Sequence, residues 1–406
     1  VIKEFCIHNI HIINQRLDAA HTFRVNRTLS TIGPIFQKIY NLVPIFFHYH
    51  HPLIPGYVEN KVPYGINLFT PDKNQYQLLL QLIGNSKLKS PKHEMPITGI
   101  YSMGSTFSIG QNDKSDLDIW VFHKSHLDKH DLINLNYKCT RIQKWCNSLS
   151  IKISFFLIDE NIFKYCRVNC FSKQKINSIY NVFLLDEFYR TSVRIAGKRI
   201  LWTVIPDREE YRYEEYVYSL YSDGILTQNE WLDLGNLKLI QIKEYFKEIL
   251  LQINKNANTP YKSLLKISLI ESYVLRYPHT ELLSMYTKKH LHSGNIIFYG
   301  FDPYYIMLNR LTNYLTDIKD NIRLNLIRCC FYFKVKEKLS IKINNQQINW
   351  KRKILLNLVR HWGWDEEKLK ILDQNIDYKK KIINEINNEL LKVKIKNSNK
   401  LIGFLN

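Results

Sequence analysis

The stretch "SDLDIWVFH" constrains this chain more than any other part of it. Its alternation reads as a β-strand, with Leu117, Ile119 and Val121 on one side and Asp116, Asp118 and Trp120 on the other. Carboxylates at i and i+2 of a strand point the same way, with Cα atoms about 7 Å apart. Left alone, they repel each other and one pKa rises. The flanks Leu117, Ile119, Trp120 and Val121 predict a buried strand, where unpaired carboxylates are costly. A hard divalent cation, Mg²⁺ or Mn²⁺, removes the conflict. It takes carboxylate oxygens and leaves positions for substrate phosphates.

The preceding residues extend this reading. "PITGIYSM" is a second apolar strand, and it runs into Gly104-Ser105. Backbone N–H groups in such a small-residue turn can approach a phosphate, and a serine hydroxyl can donate to it. Ser105 lies eleven positions before Asp116. A polar loop of that length can fold the turn back over the aspartates. Small turn, loop and D-x-D strand together describe a metal-bound nucleoside triphosphate site. A lone D-x-D on an exposed edge strand would mean nothing; the apolar flanks are what set this one apart.

Composition narrows the setting. At 406 residues the chain is long enough for two or three domains with real cores. It contains 45% hydrophobic and 23% charged residues, as soluble globular proteins do. No apolar run is long enough to span a bilayer. The formal net charge of +20 favours anionic partners. Most of that surplus follows a general abundance of Lys, Asn and Ile, so a few cations serving a phosphate pocket are expected and nucleic acid is not. Seven cysteines, an odd number with no C-x-x-C, exclude a disulfide framework or a zinc ribbon and fit a reducing cytoplasm. The chain begins at Val1 and reads as a segment of a longer one.

The pattern along the chain predicts three parts: an N-terminal helical and loop segment (1–61), an α/β unit (62–202) and a helical domain (203–406). In "TPDKNQYQLLLQLIG", Thr70 suits the N-cap, Pro71 the first helical position and Gly84 the stop. "IKISFFLID" is a third strand, and "VFLLDEFYRTSVRIAGKRILW" reads as one amphipathic helix. From about residue 205 the spacing is helical, "NEWLDLG" included. His48, His50 and His51 have no acid or cysteine at ligand spacing and read as structural. Tyr304, Tyr305, Phe331, Tyr332 and the Cys329-Cys330 pair read as core.

These residues carry a family resemblance. The Gly-Ser turn followed by "DLDIW" resembles the signature of the nucleotidyltransferase fold of the DNA polymerase β superfamily. "PITGIYSMGSTFSIGQNDKSDLDIWVFH", "ISFFLIDENIF", "LLDEFYRTSVRIAGKRILW", "LTQNEWLDLG" and "GFDPYYIMLNRLTNYL" resemble the catalytic N-terminal half of the enterobacterial-type (class I) adenylate cyclases. The resemblance runs along nearly the whole chain. It implies an α+β fold: a nucleotidyltransferase-fold α/β unit with a small mixed sheet, then a mainly α-helical domain that completes the active-site cleft. One stretch departs. Where the family has approximately E-Y-F-G-A-S-L-W-x-L-Y-K, this chain has "EYFKEILLQINK", with Lys247 and Leu251 in place of the glycine and tryptophan.

The resemblance implies conversion of ATP to 3′,5′-cyclic AMP and pyrophosphate. Asp116 and Asp118 would hold two metal ions, and Gly104 and Ser105 would grip the β and γ phosphates. The superfamily usually adds a third carboxylate on the next strand. There the central position holds Ser154, so Asp159 at the strand end is the nearest candidate, with Asp186 and Glu187 behind it. Lys262 and Lys266, one helical turn apart in a resembling block, would face the triphosphate, ahead of the stripe Arg190, Arg194 and Lys198. In the full-length family, control by a sugar phosphotransferase component is implied. Three other functions stay open. The same site could transfer a nucleotide to another acceptor, the chain could be a degenerate noncatalytic nucleotide-binding module, or its charge could bind a polynucleotide with steep salt dependence.

Overall fold

The computed structural model describes residues 2–403 except 60, 85, 89–90, 92–94, 113–114, 162–163, 165–181, 238–239, 256–258, 296–297 and 343–348. Cys166 and Cys170 lie outside the described residues. The fold is α+β, with a small mixed sheet and many helices. By packing, the chain forms two compact units. The first comprises Val1–Phe107, Asp113–Leu237 and Thr287–Gly300; the second comprises Ser108–Asn112, Lys238–Tyr286 and Phe301–Asn406. This division differs from the three consecutive parts expected from the sequence, because segments distant in sequence share each core.

In the first unit, α1 (Ile2–Leu29) and α2 (Pro34–His48) lead into α3 (Lys73–Ile83). Asp72, not Thr70, caps α3: its carboxylate accepts from the Gln75 N–H, and the Gln75 side chain accepts from the Asp72 N–H. That reciprocal pair satisfies two orphan donors, which Thr70 stands too far upstream to do. Next come β1 (Ile97–Met103), β2 (Leu117–His123), α4 (Lys129–Ser148) and β3 (Ile153–Asp159). The strand order is β3-β2-β1-β4, with β2 antiparallel to β1 and parallel to β3.

The segment expected to be a single helix to Trp202 divides. It forms α5 (Val182–Thr191), β4 (Val193–Gly197) and the two-residue β5 (Arg199–Ile200). Beyond Thr191 the β-branched residues of "SVRIAG" pair antiparallel with β1, which otherwise would present an open edge. Gly197, at φ +90°, makes this approach feasible, since a Cβ there would stand 2.5 Å from the Thr98 carbonyl oxygen. "NEWLDLG" likewise yields a strand, β6 (Trp231–Leu232), beside β5.

One sheet face is the unit's main core. Leu117, Ile119 and Val121 of β2 pack there with Phe46 of α2 and Leu135 of α4. The other face carries Trp120, which stacks on Phe188 of α5 with ring centroids 4.6 Å apart. The expected alternation of β2 is therefore the observed one.

The second unit is helical. It contains α6 (Ile242–Lys255), α7 (Pro260–Val274), α8 (Pro303–Asp317), α9 (Asn321–Val335), α10 (Trp350–His361), α11 (Glu366–Gln374) and α12 (Ile376–Gly403). Helix α7 is central, packed by α6, α8, α9 and α12. Among the described residues, no helix is long and apolar enough to cross a membrane.

Candidate active site

Asp118 lies in β2, opposite Met103 of β1 and Ser154 of β3. It is half-buried. Asp116 stands one residue before the strand and is exposed, so β2 begins later than the sequence suggested. The two carboxylates thus sit where a buried strand emerges.

The turn after β1 reaches the same place. Gly104 has φ +77°, a backbone that only glycine adopts without strain. A Cβ on Gly104 would lie 3.9 Å from Oδ2 of Asp118. Turn and carboxylate are neighbours, as the loop length allows and the Met103–Asp118 pairing of β1 with β2 brings about.

The amide of Gly104 has a different use from the phosphate contact expected of it. It donates to the hydroxyl of Thr191 at 3.0 Å, and that hydroxyl donates to the Glu187 carbonyl at 2.7 Å. The C-terminal turn of α5 therefore anchors the glycine. Arg24 of α1 reinforces the anchor. Its guanidinium, buried, donates to the carbonyls of Phe107 (3.2 Å) and Thr191 (2.9 Å). Helix α1 is further tied to this unit by the two-pronged Arg199–Asp18 pair, at 2.8 and 2.7 Å. The N-terminal segment is part of the structure around the turn. Sequence reasoning missed Arg24 and Thr191; an arginine facing two distant backbone carbonyls leaves no local signal. The loop expected to be polar is instead buried from Thr106 to Gln111. Ser105 remains half-buried beside Gly104.

The third-carboxylate candidates fare differently. Asp159 pairs in register with His123, five residues along from the Asp118–Ser154 pair. At about 3.3 Å per residue the separation is about 16 Å, so Asp159 is not brought to the aspartate pair. Its Oδ1 accepts from the Ser125 hydroxyl (2.6 Å) and the Asn161 amide (2.8 Å), which caps the turn after β3. Asp186 is buried on α5 and pairs with Arg190 at 3.5 Å. Because α5 ends at Thr191, Arg190, Arg194 and Lys198 do not share a helical stripe. Arg194 faces Asp18, and Lys198 faces Glu160 at 3.3 Å. Among the described residues no group of three His, Cys, Asp or Glu side chains is placed to hold a metal ion.

The residues read as structural have structural surroundings. Nδ1 of His48 accepts from the Ile66 amide, and Nε2 of His50 meets the Val58 carbonyl at 3.0 Å. Burial pushes both imidazoles down to about 4. Cys329 and Cys330 are buried, and burial raises both thiols. Lys247 and Leu251 lie on the exposed side of α6, whose buried side carries Tyr245, Phe246 and Ile249. The departure from the family pattern therefore leaves this helix's packing intact.

Lys262 and Lys266 are half-buried neighbours on α7, in the second unit. They do not stand alone. Lys334 of α9 is 2% exposed, and its positive neighbours are Lys262, Lys336, Lys351 and Lys266. Its ammonium lies 5.3 Å from the Tyr304 ring centroid. Lys334 and Lys351 were missed from sequence; Lys334 directly follows the apolar residues 329–333 and opens the charged stretch "KVKEK", so no local pattern marks it as buried.

Two family models match the chain. One described as "Adenylate cyclase NT domain" covers residues 9–203, and one described as "Adenylate cyclase, class-I, second domain" covers residues 240–406. The chain carries both domains and belongs to the class-I adenylate cyclase family. Among curated relatives, it is 47% identical to the adenylate cyclase of Escherichia coli (strain K12) over 398 residues, 97% of this chain and 47% of that protein. It is 46% identical to the Yersinia intermedia adenylate cyclase over 398 residues, with the same coverage, and 46% identical to that of Proteus mirabilis over 401 residues, 97% of this chain and 46% of the relative. The chain spans about half the length of the curated relatives it matches. A solved spectinomycin adenyltransferase from Enterococcus faecialis is 15% identical, covering 65% of this chain and 92% of that one with a TM-score of 0.31, too slight a likeness to carry an argument.

Proposed function

We propose that this chain converts ATP to 3′,5′-cyclic AMP and pyrophosphate, with Asp116, Asp118, Gly104 and Ser105 at the reacting phosphates. The observation that carries the reading is the Gly104 turn set against the Asp118 carboxylate, in a chain of the class-I adenylate cyclase family. In this reaction the ribose 3′ oxygen bonds to the α-phosphorus, and the bond from that phosphorus to the pyrophosphate oxygen breaks. The 3′ proton passes to solvent. Nucleophile and electrophile belong to one molecule, so what the protein chiefly contributes is positioning.

A divalent cation fits the donor set. Asp116 and Asp118 offer hard carboxylate oxygens two residues apart at the exposed mouth of a buried strand, and Asp116 remains open to solvent. Such an ion, Mg²⁺ or Mn²⁺, supplies charge neutralisation and Lewis acidity at the phosphates when bound. The chain's own residues do the rest. Gly104, lacking a side chain, leaves room beside Asp118 for a phosphate oxygen. The Ser105 hydroxyl donates to a phosphate. Thr191 and Arg24 hold the turn still, so that no reorganisation is needed as charge develops. Asp159 is left outside the site and serves its turn.

The test is incubation of the purified chain with ATP labelled at the α-phosphate and Mg²⁺ or Mn²⁺, with no acceptor. Labelled cyclic AMP is expected, and it should vanish in Asp116→Asn and Asp118→Asn. A labelled adduct formed only on adding an acceptor would replace the cyclase by a nucleotidyltransferase. ATP binding without any product would mark a noncatalytic nucleotide-binding module.

A further inference from the structure

The second unit holds an arrangement that its own packing does not require. Lys334 stands on α9 among Phe331, Tyr332, Phe333 and Val335, all of them buried. Lys351 on α10 is also buried, at 8% exposure. Burying one ammonium is expensive, and gathering several multiplies the cost through mutual repulsion. A methionine at either position would fill similar volume without that cost. Yet Lys262 and Lys266 from α7, Lys336 after α9 and Lys351 from α10 all act on Lys334 as like charges. Burial, followed by these four neighbours, pushes its ammonium down to about 7.

The surroundings orient the cluster. The Tyr304 ring offers its face to the Lys334 ammonium, a partial compensation. The Lys351 ammonium donates to the Gln111 carbonyl. Segment 108–112 is held firmly beside these residues. Ile109 donates its amide to Asp302 at 2.8 Å, the Asn112 side chain donates to the Lys334 carbonyl at 3.3 Å, and Gly110 lies so near Tyr304 that a Cβ would stand 3.0 Å from the ring. Lysines drawn from three helices thus gather about Lys334. The chemistry complementary to such a gathering of ammonium groups is a compact multivalent anion.

We propose that Lys334 and Lys351 join Lys262 and Lys266 in a polyphosphate-binding cluster of the second unit, one that takes the pyrophosphate moiety of a nucleotide or free pyrophosphate. This inference rests on the ATP-converting reading for its biological ligand, but not for its binding chemistry. Lysine suits such a site, because a compact ammonium adapts to a phosphate oxygen as a point charge, without the planar fork of arginine.

The experiment is calorimetric titration of the full chain with inorganic pyrophosphate in metal-free buffer, repeated for Lys334→Met, Lys351→Met and Lys262→Gln. Lys370→Met, an exposed lysine elsewhere in the second unit, serves as the control for general positive charge. Each cluster variant is expected to weaken pyrophosphate at least 10-fold while the control leaves it unchanged, a change of about 1.4 kcal/mol. Pyrophosphate binding that is absent in the parent, unaffected in the cluster variants, or weakened equally by Lys370→Met would overturn the proposal. Failure of the ATP reading shows separately, as absence of cyclic AMP from a chain that still binds pyrophosphate through these lysines. Lys262→Gln changes a half-buried residue and keeps the test alive should a buried variant fail to fold.

Discussion

Gly104 stands over Asp118 so closely that one added methyl group would lie 3.9 Å from the carboxylate oxygen Oδ2. That is ordinary contact distance, so alanine fits in space. Its penalty is the φ of +77°, worth about 1–2 kcal/mol for a residue with a side chain. Gly104→Ala should therefore lower unfolding free energy by about that amount in urea and keep a measurable part of the cyclase rate. Gly104→Val crowds the space beside Oδ2 and should cost about 100-fold in kcat.

Asp116→Asn and Asp118→Asn should each lower cyclic AMP formation by about 100- to 1000-fold, the usual scale for removing a preorganised electrostatic group. Melting temperature should hold or rise, because one of two neighbouring like charges is gone. Initial rates with labelled ATP and a thermal melt of the same samples check both halves.

Asp159→Asn separates the strand-end carboxylate from the site. Its two hydrogen bonds serve the turn after β3, so the expected loss is about 1 kcal/mol of stability. Turnover should persist at temperatures where the variant is folded. A loss of turnover as deep as that of Asp118→Asn would return Asp159 to the reaction.

Arg24→Met removes the donor from two carbonyls, those of Phe107 and Thr191. Leaving buried acceptors unsatisfied costs about 1–3 kcal/mol each. Urea unfolding should show a lower midpoint at unchanged slope. Arg24→Lys should recover only part of the loss, since one ammonium does not reproduce the guanidinium fork.

Lys334 makes stability depend on pH with a definite sign. Its folded pKa of about 7 lies below the ordinary 10.5, so between those values the unfolded chain binds more protons. Stability from this group therefore rises with pH across that window, and its full penalty is felt below about pH 7. The facing groups are Lys262 and Lys266 on α7, Tyr304 on α8, Lys336 after α9 and Lys351 on α10. The stabilising effect of Lys334→Met, read from urea midpoints, should be largest near about pH 6 and shrink toward about pH 10.

Much of the local geometry of the candidate site was legible because its signals are local. Alternation in "SDLDIWVFH" gave the faces of β2, and glycine before serine marked the turn. The misreadings share a physical cause. "SVRIAG" continues an acceptable helical pattern; only the open edge of β1, far away in sequence, makes it a strand. Asp159 ends the right strand, but its distance from Asp118 is set by the β2–β3 register, which no local pattern states. Thr70 is a good cap by type, and Asp72 is better by position because Gln75 answers it. Arg24, Lys334 and Lys351 act through tertiary neighbours, so their roles appear only once the chain is folded.

Residues 108–112 belong to the second unit although the chain on both sides of them belongs to the first. The interval between the two matched family domains, residues 203 to 240, contains the packing boundary after Leu237, and residues 108–112 are the stretch of the first matched domain that packs with the second unit. A fragment beginning at residue 240 would lack the carbonyl that receives Lys351 and the amide that Asp302 accepts. Recombination that swaps the second half for that of a relative would pair it with a foreign pentapeptide. A working crossover must therefore keep the five residues of that loop matched to Asp302, Lys334 and Lys351.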